Sequence, residues 1–136
     1  MDGKPDTVVL DTNVLVAAGF NPHSSSAKII ASIRAGKTTL LWNRSTRAES
    51  KAIIEQIPPL AWKQFSNLFS PEWEFQGETH PDNFIEIKDP DDRKFAALAA
   101  ATQATLISND EHLLSVRNQL KIRILTPKEA LQTGDF

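Results

Sequence analysis

The sequence has no cysteine, no internal repeat and no long apolar run, and each absence excludes a class of protein. Without cysteine, neither a disulfide framework nor a thiolate metal site can form. No apolar run approaches the roughly 18 residues of a membrane-spanning helix, so we expect no membrane association and a cytoplasmic protein. The net charge of −2 also lacks the basic excess that is typical of proteins that bind nucleic acid.

What is present is the composition of an ordinary globular domain. The chain has 136 residues, of which 40% are hydrophobic and 24% are charged. This length is sufficient to bury a core without disulfides or structural metals. We therefore expect one domain over residues 1–136.

Short apolar runs alternate with segments that have a helical spacing of apolar residues. Four runs predict strands, and two weaker strand candidates occur at 73–75 and 84–87. Alternating strands and helices favour βαβ units, so the sequence predicts an α/β fold with a mostly parallel sheet. The four predicted strands are 7–10, 38–42, 104–107 and 122–125.

The predicted helices have recognisable starts and ends. Thr126-Pro127-Lys128-Glu129 is a capping box with proline at the first helical position, which begins a terminal helix. Gly36 stands where a helix commonly ends. The predicted helices before the terminal one are 13–20, 27–35, 46–57, 60–69, 92–103 and 112–116.

Four acidic residues stand where strands end or where helices begin. Asp11 follows the first strand and Asp110 lies just beyond the strand 104–107. Glu49 lies in the helix after the second strand, and Asp92 begins the alanine-rich helix. Parallel strands bring their carboxyl ends to one edge of a sheet, which is where α/β proteins bind ligands. We therefore expect these four carboxylates to lie together.

Such a cluster would repel itself unless a cation lay among its members. Carboxylate oxygens are hard ligands that suit Mg²⁺ or Mn²⁺. Divalent cations held this way lower the pKa of bound water and stabilise charge on a phosphodiester. The pattern therefore predicts metal-dependent phosphodiester hydrolysis.

Each of the other polar residues near these acids has two possible roles, one in the site and one in local structure. The amide of Asn13 could orient a ligand carboxylate or cap a helix, and the hydroxyl of Ser108 could support the site or serve only its turn. Asp89 and Asp91 could be no more than negative charge at a helix start, although Asp89 is an alternative to Asp92 as the third acid. Each of the acids, taken singly, is more often structural.

Four segments of the sequence carry a resemblance to one protein family: V-V-L-D-T-N-V-L-V-A-A, A-E-S-K-A-I-I, D-P-D-D-R-K-F-A-A-L-A-A-A-T-Q-A-T-L-I-S-N-D-E-H-L-L and I-R-I-L-T-P-K-E-A-L. Together they resemble the PIN-domain family. They are most similar to the toxin-like ribonucleases of bacterial toxin–antitoxin pairs. The resemblance implies a three-layer α/β/α domain and Mg²⁺- or Mn²⁺-dependent cleavage of RNA. It implies the acids Asp11, Glu49, Asp92 and Asp110, with Asn13 and Ser108 in support.

The resemblance also implies partners, namely a small antitoxin protein and a second copy of the chain in a homodimer. One departure concerns Glu49, because the segment before it, 43–47, is basic and lacks the apolar residues that usually lead into the second acid. Residues 58–88 match no recognisable motif.

Two other functions fit part of the pattern. A degenerate member of the fold could bind RNA or a protein without catalysis, although the retained acids would repel RNA phosphates. A phosphotransfer domain would also place an aspartate after the first strand. The sequence departs from both phosphotransfer patterns. A phosphatase would have a second aspartate at the position of Asn13, and a receiver domain would have a lysine after the late strand that Asp110 follows.

Overall fold

A computed structural model describes residues 6–136 of the chain. Its sheet has four strands in the order β2-β1-β3-β4, and every pairing is parallel. The strands are β1 (Thr7–Leu10), β2 (Thr39–Leu40), β3 (Thr105–Ile107) and β4 (Ile124–Leu125). This confirms the parallel sheet that the alternation of elements predicts.

Within residues 6–136, six α-helices connect and cover these strands. Their bounds are α1 (Thr12–Phe20), α2 (Ser25–Arg34), α3 (Arg44–Ile54), α4 (Arg93–Thr102), α5 (Glu111–Ser115) and α6 (Pro127–Thr133). Ser24 caps α2, Asn43 caps α3 in a capping box, and Thr126 forms the predicted capping box of α6 with Glu129. Helix α4 ends at Thr102, because Gln103, its C-cap, has a left-handed φ of 59°.

The central sheet separates two cores, because successive side chains of a strand point to opposite faces. Val8 and Leu10 of β1 pack with α1, α2, α3 and α6, where Ile29 and Ile54 are buried. Val9 packs on the other face with α4 and α5. The fold is therefore a three-layer α/β/α arrangement, as the sequence predicts.

The register of β1 against β3 positions the chemistry of the molecule. Leu10 pairs with Ile107, the last residue of its strand, so both strands end side by side. The amide of Asp11 then donates a hydrogen bond to the carbonyl of Ile107 over 3.0 Å. Consequently the segments that begin at Asp11 and at Ser108 leave the sheet at the same edge.

The predicted helix 60–69 is wrong. The segment forms two 3₁₀ turns, Trp62–Gln64 and Ser66–Leu68. Phe65 and Leu68 are its buried anchors, and a spacing of three residues is satisfied by a 3₁₀ turn as well as by an α-helix. The apolar pattern alone could not distinguish them.

The two weaker strand candidates are also wrong. The first forms only an isolated bridge from Trp42 to Glu74. In the second, Phe84 and Ile87 are buried while Ile85 is exposed, and the amide of Ile87 bonds the carbonyl of Phe84 over 3.0 Å. That is a turn with two buried anchors rather than a strand with alternating faces.

No helix within residues 6–136 combines the length and the apolarity that crossing a membrane requires.

Candidate metal centre

Three carboxylates converge at the edge of the sheet where β1 and β3 end. Asp11 follows β1, Asp92 immediately precedes α4, and Asp110 stands at the N-cap of α5. One carboxylate oxygen from each of the three lies within 4.8 Å of the others. The sequence predicts that four acids lie together, and the structure brings three of them together.

Asp11 is the most deeply buried of the three, with 5% of its surface exposed. Its Oδ2 accepts hydrogen bonds from Ser108 Oγ over 2.8 Å and from Asn13 Nδ2 over 3.3 Å. The pKa of Asp11 is raised to about 6, mainly by burial and to a lesser extent by the charge of Asp110, while the hydrogen bond from Ser108 opposes the change. The carboxylate therefore lies in a fixed orientation, and no cationic side chain among residues 6–136 forms an ion pair with it.

Asp92 is more strongly affected. Burial is the main cause that raises the pKa of Asp92 to about 7, followed by the charges of Asp11, Asp89 and Asp110. A hydrogen bond to Asp110 also favours its protonated form. Mutual repulsion of this kind is what a divalent cation relieves, so the carboxylates fit a bound metal ion. An all-oxygen donor set suits a hard cation.

Ser108 joins two of the acids. Its hydroxyl donates to Asp11 and accepts from the backbone amide of Asp110 over 3.0 Å. Ser108 therefore serves its turn and also orients a carboxylate, so the two alternative roles coexist. The residue has no exposed surface.

Asn13 connects the carboxylate of Asp11 to the loop after β3. In addition to its hydrogen bond with Asp11, its Oδ1 accepts from the backbone amide of Asn109 over 3.0 Å. The N-cap position of α1 belongs to Asp11, so Asn13 is not the cap of that helix. Its amide instead links the end of β1 to the loop after β3.

Glu49 is not part of this group. Its Oε1 bonds Lys94 Nζ over 2.9 Å, and each of the two side chains is about a fifth exposed, 21% and 22% respectively. The role of Glu49 as a metal ligand stays a prediction. Asp89, the alternative third acid, accepts the backbone amide of Asp91 over 2.9 Å and caps a turn before α4.

Sequence reasoning missed three contacts around the site. Lys94 was not recognised as the partner of Glu49, which lies 45 positions away. Thr12 Oγ1 and Ser50 Oγ form a buried hydrogen bond of 2.7 Å that ties α1 to α3. The side chain of Asn109 donates a hydrogen bond to Ser26 Oγ over 3.1 Å. Asn109 stands between the predicted site residues Ser108 and Asp110, and this position is the feature of the sequence that indicates it.

Comparison with known proteins assigns the family. The family model described as "PIN domain" matches residues 7–112, which include the three converging aspartates. The chain belongs to the PIN domain family. A PIN domain is generally a nuclease, and the parallel sheet with acids at its carboxyl edge agrees with that membership.

This PIN domain is also similar to an uncharacterized protein of Methanocaldococcus jannaschii. The two are 28% identical over 141 aligned positions, which cover 92% of this chain and 89% of that protein. The similarity extends beyond the residues that the family model matches. The name of this relative does not state an activity.

Proposed function

We propose that the chain is a Mg²⁺- or Mn²⁺-dependent endoribonuclease that hydrolyses RNA phosphodiester bonds. The observation that carries this proposal is the convergence of Asp11, Asp92 and Asp110 within 4.8 Å in a PIN domain. PIN nuclease domains act on RNA, which supports RNA as the substrate.

In this proposal the three aspartates hold the cation through their carboxylate oxygens. A bound divalent cation would supply an acidified water and would stabilise negative charge on the phosphodiester. Ser108 and Asn13 hold the carboxylate of Asp11 in one orientation, because both donate to the same oxygen atom. Such preorganisation keeps the ligand in place before the cation and the substrate arrive.

Glu49 is proposed as a fourth acid at the rim of the centre. Lys94 now neutralises it, so Glu49 would have to leave this lysine in order to contact a cation. The three aspartates are therefore the proposed principal ligands of the cation.

A narrower part of the proposal is that the protein is the toxin of a toxin–antitoxin pair, with a small antitoxin and a second copy of the chain as partners. Its support is the sequence resemblance. Expression in a bacterium should arrest growth, while the Asp11→Asn variant expressed to the same level should not. Normal growth at full expression of a protein that cleaves RNA in vitro would contradict the toxin role alone.

RNA cleavage measured with purified protein tests the central proposal. We expect internal cleavage of a labelled single-stranded RNA with Mn²⁺ and none with EDTA. Asp11→Asn and Asp92→Asn should each reduce the rate at least about a hundredfold, since each removes a ligand charge. Asp82→Asn is the matched control, because Asp82 is exposed in a turn and is not among the charges that act on Asp11 or Asp92.

RNA cleavage and RNA binding, together with a phosphorylation assay, distinguish the competing functions. A non-catalytic binding module would bind the RNA and leave it intact with any divalent cation. A phosphotransfer domain would form an acyl phosphate on Asp11 from a small phosphodonor, which hydroxylamine would release. Either result, with no RNA cleavage, would overturn the nuclease assignment.

A further inference from the structure

A groove lies between α1, α2 and α6, and Asn13, one of the residues that line it, is a hydrogen-bond partner of Asp11. It has a volume of about 430 Å³, within the range of small-ligand pockets. We name it the α1–α6 groove. Its lining includes Asn13, Ala17, Ser24, Asn109, Thr126 and Lys128.

The α1–α6 groove borders the candidate metal centre at Asn13. Asn13 lines the groove and also donates to the carboxylate of Asp11 over 3.3 Å. Asn109 lines it too, stands next to Asp110 in the chain, and donates through its backbone to Asn13. A polymer chain with one phosphodiester at the carboxylates would therefore have this groove beside it.

The charge of the groove is opposite to that of the metal centre. Among the described residues that line it there is no aspartate or glutamate, and Lys128 supplies a positive charge. Lys128 is exposed in the first turn of α6, so its ammonium group can reach a phosphate. Val16, Ala17 and Pro127 add apolar surface, which suits the face of a nucleobase.

A second groove, along α3, fits a nucleotide less well. It carries Arg44, Arg47 and Lys51, but Glu55 and Glu74 line it as well. The guanidinium of Arg47 already lies over the ring of Trp62, 5.3 Å from its centroid. Among the described residues that line this groove, none belongs to the carboxylate group or to its hydrogen-bond partners.

We infer that the α1–α6 groove binds the nucleotide next to the scissile phosphodiester of an RNA strand. Lys128 contacts its phosphate, and the hydroxyl and amide groups of Ser24, Asn13 and Asn109 contact its ribose and base. This inference rests on the proposed nuclease function and specifies where the strand runs. It requires a substrate that extends beyond the cleaved bond.

Binding of RNA to charge-reversal variants tests the inference. The probe is a fluorescein-labelled single-stranded RNA of about 12 nucleotides, a length within the range of single-strand site sizes. The protein carries Asp11→Asn, which prevents cleavage and reduces repulsion of the phosphates. Lys128→Glu is compared with Lys121→Glu, an equal charge change at an exposed lysine that lines a different groove. Acidic residues are favourable in the first turn of a helix, so Lys128→Glu should fold.

We expect Lys128→Glu to weaken RNA binding about tenfold at low salt and to reduce the salt slope by about 1. Lys121→Glu should change the affinity less than about twofold, because its groove lies outside the proposed path. In the background with Asp11 intact, Lys128→Glu should raise KM more than it lowers kcat, since the lysine binds substrate without touching the reacting bond.

Equal affinities of the two charge variants would overturn the inference while leaving RNA cleavage by the unmodified protein, and thus the proposed function, intact. Failure of the unmodified protein to cleave or bind the RNA would overturn both.

Discussion

Lys94 Nζ lies 2.9 Å from Glu49 Oε1, so a lysine two residues after Asp92 neutralises the acid that sequence patterns assign to the metal centre. The ion pair joins α3 to α4 at the edge of the candidate site. A cation that recruits Glu49 must displace this lysine. The pairing therefore bears on the metal affinity of the site.

Removal of Lys94 should strengthen metal binding. In Lys94→Met we expect Mn²⁺ to bind about 3- to 10-fold more tightly by calorimetry, because a positive charge leaves the surroundings of the aspartates and frees Glu49. The double variant Lys94→Met/Glu49→Gln should lose this gain. Lys121→Met, at an exposed lysine, is the control and should leave the affinity unchanged. Unchanged or weaker Mn²⁺ binding in Lys94→Met would show that Glu49 is not available to the cation.

The hydroxyl of Ser108 should be important for both stability and the state of Asp11. Ser108→Ala removes the donor to a buried carboxylate and the acceptor of the Asp110 amide, which should cost about 1 to 3 kcal/mol in the free energy of unfolding. The pKa of Asp11 should rise further above about 6, because that hydrogen bond favours the ionised form. Urea denaturation in EDTA and NMR titration of the carboxyl measure the two effects. Ser115→Ala, which alters an exposed hydroxyl, serves as the control, and equal stability of the two variants would contradict the prediction.

Stability of the metal-free protein should decrease as pH rises from about 4 to about 7. The pKa values of Asp11 and Asp92 are raised from 3.8 to about 6 and about 7, so the folded protein binds more protons than the unfolded chain in this window. In EDTA we expect a Tm lower by about 5 °C at pH 8 than at pH 5. Glu129, whose pKa is lowered from 4.5 to about 2, acts in the opposite direction, but its contribution is largely complete above pH 4.5 and therefore changes the comparison of pH 5 with pH 8 little.

Asp92→Asn should flatten this dependence, since the variant has no proton to release at that position. Mn²⁺ added at pH 8 should raise the Tm of the unmodified protein and not that of Asp92→Asn. A Tm that increases from pH 5 to pH 8 in EDTA would contradict the assigned repulsion among the aspartates.

The buried hydroxyl pair of Thr12 and Ser50 should couple the helices that follow β1 and β2. Thr12→Val leaves the Ser50 hydroxyl without this partner, and we expect a loss of about 1 to 2 kcal/mol in unfolding free energy. A double-mutant cycle with Ser50→Ala should show a coupling energy of at least about 0.5 kcal/mol. Strictly additive effects of the two substitutions would contradict a direct interaction.

The sequence by itself determined the features that depend on local patterns. Apolar runs such as 7–10 and 104–107 specify strands, and the residues that follow each strand must then lie at the carboxyl edge of a parallel sheet. The convergence of Asp11 and Asp110 follows from that rule without knowledge of the register. The capping box of α6 is equally local, because Thr126 and Glu129 are three residues apart.

Only the tertiary structure decided what depends on distant partners. The patterns of 60–69 and 84–87 satisfied more than one local structure, and packing selected turns with two buried anchors. The contact of Lys94 with Glu49 depends on how α3 and α4 pack, and no spacing in the chain encodes it. The four acids of the sequence pattern therefore divide into three aspartates that repel one another and one glutamate that pairs with Lys94. Long-range packing makes this division.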